Sequence, residues 1–282
     1  FKVTEKTPVK VYGKDFDGNG GFDAIVSAYF KNTEGKFAEF PLHGRDDLSK
    51  QVIAFKDDFP FHKDLAVATM QEIFTPEQLK NALVLEANDL RTSLILNQGN
   101  GQFAIMPLAD EAQLAPVYGG HIQDVDGDGI MDITLVGNDY GMELLTGRCD
   151  ALNGLTLKGL ENQSFRTMKL AESGLVASGD AKSMIRISIR DLPYYIIGQN
   201  QGELLVYRKK NPTPQHSISL GPLDFRIHYQ YDGVDHTIEA YYGEGFISQS
   251  DRTKFLPIGA SSVIVEDYQG NRKSVPLPKP GL

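Results

Sequence analysis

The chain has 282 residues, room for about two domains, with 28 Lys+Arg against 37 Asp+Glu and a formal net charge of −9. That balance excludes a nucleic-acid footprint, which needs clustered positive charge against phosphate; the longest basic run is Arg208-Lys209-Lys210. An apolar fraction of 41% supports a real core and excludes global disorder, and no apolar run approaches the roughly 18 residues of a membrane span.

Short β-like runs separated by Gly, Asn and Asp turns dominate the chain. Residues 22–30 (FDAIVSAYF) are the first strand candidate. From Asp46 the period turns helical. Thr75-Pro76-Glu77-Gln78 combines an N-cap, a proline at the first helical position and a glutamine at the capping-box position, followed by Leu79, Ala82, Leu83 and Leu85. Residues 64–74 read as another helix. A helical insertion over about 46–90 is therefore predicted in an otherwise β protein. Strand candidates resume at 92–96 and 132–136. The clean alternation of 186–190 is followed by 194–197 and 203–207, with a hairpin loop at 198–202. Residues 211–215 (NPTPQ) read as a linker. Strand-like runs then fall at 224–229, 237–242 and 262–266, and 275–282, with three prolines, reads as a tail.

Two segments share one pattern, D-x-D-G-[DN]-G-x-x-D. The first runs from Asp15 through Asp17 and Asn19 to Asp23, the second from Asp124 through Asp126 and Asp128 to Asp132. Oxygen side chains stand at positions 1, 3, 5 and 9, and each segment runs into a strand candidate. Carboxylates this dense repel one another unless a cation sits between them. Hard oxygen ligands on glycine turns suit Ca²⁺ better than Mg²⁺, which resists dehydration and demands strict octahedral geometry. The backbone carbonyls at position 7, Gly21 and Ile130, are further candidate ligands. An EF-hand would need an acidic residue at position 12; Val26 and Leu135 stand there. Two Ca²⁺ sites are expected, and the second loop, with four carboxylates against three, is expected to bind more tightly. The ions could be purely structural or lie at a ligand site.

These loops resemble the calcium loops of FG-GAP/VCBS repeats, the blades of integrin-α-like β-propellers. The strongest part is residues 124–137, and Asn97-Gln98-Gly99-Asn100-Gly101-Gln102-Phe103 is similar to the outer hairpin of that repeat. Residues 40–48, 119–141 and 147–151 resemble the C-terminal part of long bacterial VCBS-repeat proteins, especially from Bacteroidetes. Over 217–278, through 243–251 and 263–271, the chain resembles an ASPIC/UnbV module, departing from its pattern at 254–259. The resemblance implies propeller-like blades over 1–210, at about 8–107, 115–172 and 176–208, followed by a small C-terminal β module. Three blades do not close a ring of the usual four to eight. Further blades from a longer parent chain, or edge protection by the C-terminal module, would be needed.

No catalytic constellation stands out. The six histidines lack the i, i+4 spacing of a helical zinc site, although His121 lies three residues before Asp124. The pairs Asp46-Asp47 and Asp57-Asp58 read as a solvated helix face or N-cap, since adjacency does not place carboxylates across a sugar. Cys149, the single cysteine, has no evident histidine partner and can form no intramolecular disulfide. That fits a reducing compartment or an exported bacterial protein without disulfides. The start at Phe1, without Met or leader, suggests a processed or truncated piece. Asn162-Gln163-Ser164 is a glycosylation sequon relevant only to a eukaryotic secretory route. The C-terminal tyrosines are strand core or a surface that could stack on sugars. The leading expectation is a calcium-binding exported protein of the bacterial cell surface, periplasm or medium that recognises glycan or protein. A calcium-dependent polysaccharide lyase or hydrolase, and a structural fragment of a larger secreted assembly, are the alternatives.

Overall fold

The computed structural model describes residues 3–144 and 146–277. Residues 278–282 of the expected tail lie outside the described residues. With nineteen strands and six short helices among those described, the protein is mainly β, built of several antiparallel sheets. The chain divides into two compact units, one up to Arg91 and one from Thr92.

The first unit carries a four-stranded sheet. Strands β1 (Val9–Lys14), β2 (Asp23–Lys31), β3 (Phe37–Pro41) and β4 (Leu83–Ala87) lie in the order β3-β2-β1-β4. Between β3 and β4 run five short helices: α1 (Arg45–Gln51), α2 (Phe55–Asp58), α3 (His62–Leu65), α4 (Met70–Ile73) and α5 (Pro76–Leu79). They supply most of the core. Leu48, Val52, Phe55, Met70 and Phe74 pack with Tyr12 and Ile25 of the sheet, so the helical stretch is the second layer of this unit rather than an excursion from it.

Two expectations need correction here. The helical region ends at Leu79, and Leu83 and Leu85, expected on a helix, belong to a strand paired antiparallel with β1. The capping box at Thr75 forms as expected, with Thr75 N–H donating to Gln78 Oε1 at 2.8 Å. The helix it starts buries no side chain, however, and Asn81 turns the chain at φ 62°. With only Leu79 partly buried against the core, the segment gains more from five residues of ladder on the edge of β1 than from further helical turns. The helix expected over 64–74 is likewise broken into α3 and α4, the second restarted by a capping box between Thr69 and Glu72.

The second unit holds the remaining sheets. Strands β5 (Ser93–Gly99) and β6 (Gln102–Pro107) pair as a hairpin outside the β1–β4 sheet, so the expected first blade, 8–107, is not one sheet. Strands β7 (Val117–Gln123), β8 (Asp132–Gly137), β9 (Leu155–Gly159) and β10 (Phe165–Thr167) form an antiparallel meander. A second meander joins β11 (Ala181–Ile189), β12 (Leu192–Gln199) and β13 (Leu205–Arg208). Beyond them, β14 (Gln215–Ser219) pairs with β17 (Thr253–Pro257). Strands β15 (Asp224–Tyr231), β16 (Val234–Glu239), β18 (Ser261–Asp267) and β19 (Arg272–Ser274) make a sheet in the order β16-β15-β18-β19.

Strand β8 is buried along its whole length because it is covered on both faces. Ile133 and Leu135 enter one core with Leu155 and Leu157. Val136 enters another with Met184, Tyr195 and Ile197. The close approach of the second meander demands glycine at 119, where a Cβ would come within 2.5 Å of the Met184 nitrogen.

Candidate metal centre

Each acidic segment forms the turn between two paired strands, β1–β2 for the first and β7–β8 for the second. The two turns share one hydrogen-bond scheme. The position-1 carboxylate collects the N–H groups of positions 4 and 6. Gly18 and Gly20 donate to Asp15 at 2.7 and 2.9 Å; Gly127 and Gly129 donate to Asp124 at 2.6 and 3.0 Å. These four glycines have φ between 75° and 89°, a conformation open to glycine at little strain. Position 3 accepts from position 5, Asn19 N–H to Asp17 at 3.1 Å and Asp128 N–H to Asp126 at 3.3 Å. Position 5 accepts from position 7, Gly21 N–H to Asn19 Oδ1 at 2.6 Å and Ile130 N–H to Asp128 at 2.9 Å. Position 9 accepts from position 2, Phe16 N–H to Asp23 at 3.0 Å and Val125 N–H to Asp132 at 2.8 Å.

The turns gather their oxygens differently. In the first, one oxygen each of Asp15, Asp17 and Asp23 lie within 4.8 Å of one another. In the second the converging set is Asp124, Asp126 and Asp128. Asp132 stands apart from it, fully buried, with its other oxygen accepting from Gly159 N–H at 2.8 Å. Burial pushes the Asp132 carboxyl up, while the Gly20 amide foremost holds Asp15 below its ordinary range. The turns are also anchored differently. Phe16 packs on Phe74 at 4.9 Å, tying the first turn to the helical layer. Lys209 Nζ donates to the Asp124 carbonyl at 2.8 Å in the second.

The most consequential neighbour is Lys158 of β9. Its ammonium donates to Asp126 and lies 2.6 Å from Asp128 Oδ2, which holds the Asp128 carboxyl below its usual range and raises the lysine. Sequence reasoning missed Lys158 and Lys209, because neither lies in the repeated pattern; only the pairing of β8 with β9 and the path of the chain after β13 bring them near.

These donor sets fit a hard cation. All side-chain donors are carboxylate or amide oxygens, with no thiolate or imidazole among them. Each carboxylate retains lone pairs beyond those accepting backbone N–H groups. No family model, no curated protein and no solved structure matches this chain.

Proposed function

We propose that this chain is a calcium-binding recognition protein, exported to a bacterial cell surface, periplasm or medium, whose sheets are propeller-like blades of FG-GAP/VCBS type with an ASPIC/UnbV-like module at 217–278. Its ligand is a glycan or a protein. The observation that carries the metal reading is the shared scheme of the two turns, 124 − 15 = 109 residues apart in sequence, each closing three carboxylates into a cluster within 4.8 Å. Asp15, Asp17 and Asp23, with Asn19 and the Gly21 carbonyl, would hold one ion; Asp124, Asp126 and Asp128, with Asp132 and the Ile130 carbonyl, the other. Bound calcium supplies the countercharge that the converging carboxylates lack.

The carboxylate count favours the second turn, but Lys158 already neutralises part of it and Asp132 is committed to backbone N–H groups. The expected order therefore reverses, and the first turn binds more tightly. A calorimetric calcium titration should find two ions per chain, and one each for Asp17→Ala and Asp126→Ala. At calcium a hundredfold above Kd, each lost site should remove about 2.7 kcal/mol of stability, read as a lower melting temperature that chelator reproduces in the parent. An unchanged stoichiometry in both variants would overturn the metal reading.

A further inference from the structure

Alternation along β8 and β9 sends Ile133, Leu135, Leu155 and Leu157 into one core, so Thr134 and Thr156 face the opposite way, toward the β11–β13 sheet. The two threonines are direct register partners. They line a cleft of about 330 Å³ between the two sheets, walled on the far side by Met184, Tyr195 and Tyr207. Thr134 is 5% exposed and Thr156 3%. Both side chains line the cleft, which their hydroxyls help to form. Two hydroxyls side by side give this wall of the cleft donors and acceptors for a ligand that carries hydroxyls of its own.

The rim gives the charge of that occupant. Arg208, Lys209 and Lys210 all border the cleft, and among the described residues none of the three is paired with a carboxylate, in a chain of net charge −9. Lys209 reaches the Asp124 carbonyl and Arg208 rests against the Tyr194 ring. Glu172, the carboxylate on the wall, is held by Arg166 at 3.1 Å. A cleft of this volume is the size of a small-molecule site, not of a nucleic-acid groove.

We propose that this cleft binds an anionic sugar unit of a glycan, a uronate whose carboxylate sits at the Arg208–Lys210 rim and whose hydroxyls meet Thr134 and Thr156. The inference rests on the glycan side of the reading above and adds the place and the charge of the ligand. The test is calorimetric binding of cellobiouronate, cellobiose and inorganic phosphate to the full chain in calcium. Cellobiouronate should bind about tenfold tighter than cellobiose. The rim double variant Arg208→Ala/Lys210→Ala should weaken cellobiouronate by about tenfold. Thr134→Val and Thr156→Val should each weaken both sugars several-fold, with melting curves confirming that they fold. Phosphate binding as tightly as cellobiouronate, or an unchanged affinity in the folded rim variant, would overturn the proposal. If cellobiose binds and cellobiouronate does not, the cleft inference falls alone; if neither sugar binds while two calcium ions still do, the glycan reading falls with it and the metal reading stands.

Discussion

Lys158 gives the second turn an internal cation that its partners Asp126 and Asp128 already hold. Its ammonium takes the charge role that a bound cation would have between Asp126 and Asp128, so on the calcium reading proposed above an ion would have to displace it. Both partners are partly exposed, which keeps the interaction in the range of a surface pair. Lys158→Met should therefore raise the calcium affinity of the second turn by about fivefold and leave the first unchanged, measured by titration in an Asp17→Ala background. A lower affinity would mean that the lysine organises the carboxylates instead of competing for them. The acidic residues themselves were legible, because D-x-D-G-[DN]-G-x-x-D places every turn-forming glycine and oxygen within nine positions. The exclusion of Asp132 from its cluster was not. It follows from the Gly159 amide, and nothing in a local pattern says which strand lies beside β8.

At the scale of elements, one buried side chain joins three segments at the end of β8. Asn138 is fully buried, with φ 94°. Its amide donates to the carbonyls of Leu152 at 2.8 Å and Gly179 at 2.9 Å, and its oxygen accepts from Leu152 N–H at 2.9 Å. It thus ties the end of β8 to the segments that lead into β9 and β11. Asn138→Ala removes these hydrogen bonds inside the protein and leaves an alanine at positive φ, so it should destabilise by about 3 kcal/mol, measured by urea unfolding. A loss below about 1 kcal/mol would show that solvent replaces those partners. Strands with strong alternation, such as β11 and β12, were visible in the sequence. Strand β7 was not, because Gly119-Gly120 hides its period; Gly119 answers to the neighbouring sheet and Gly120 to the partner strand β8. The helix expected through Leu83 and Leu85 failed for a related reason: the open edge of β1 decided their conformation, and that edge is a tertiary fact.

For the molecule as a whole, acid tolerance is limited by a half-buried ring. His121 on β7 has no partner for Nε2 among the described residues. It meets the edge of Tyr195 at 5.7 Å. Burial foremost, then repulsion from Arg186, with Glu244 pulling the other way and Lys254 adding a smaller repulsion, pushes its pKa down to about 4. The unfolded chain takes up the proton near pH 6.5, where the folded chain refuses it. Stability from this site is therefore complete above about pH 6.5 and lost as the pH falls toward 4, by up to about 3 kcal/mol. His121→Phe should flatten the fall in melting temperature between pH 7 and 4.5 relative to the parent, the carboxylate contribution being common to both. Equal slopes would refute the assignment.

The shared scheme of the two turns has a kinetic consequence. Backbone N–H groups fix the position-1 carboxylate of each turn, so on the calcium reading proposed above part of the cage is set by the fold itself. A cage of that kind has little chain entropy left to surrender on capture. If the turns bind calcium as proposed, filling and emptying would follow the surrounding concentration without waiting for the chain to fold, and each turn would serve as a gauge of its medium, not as a step in its own assembly.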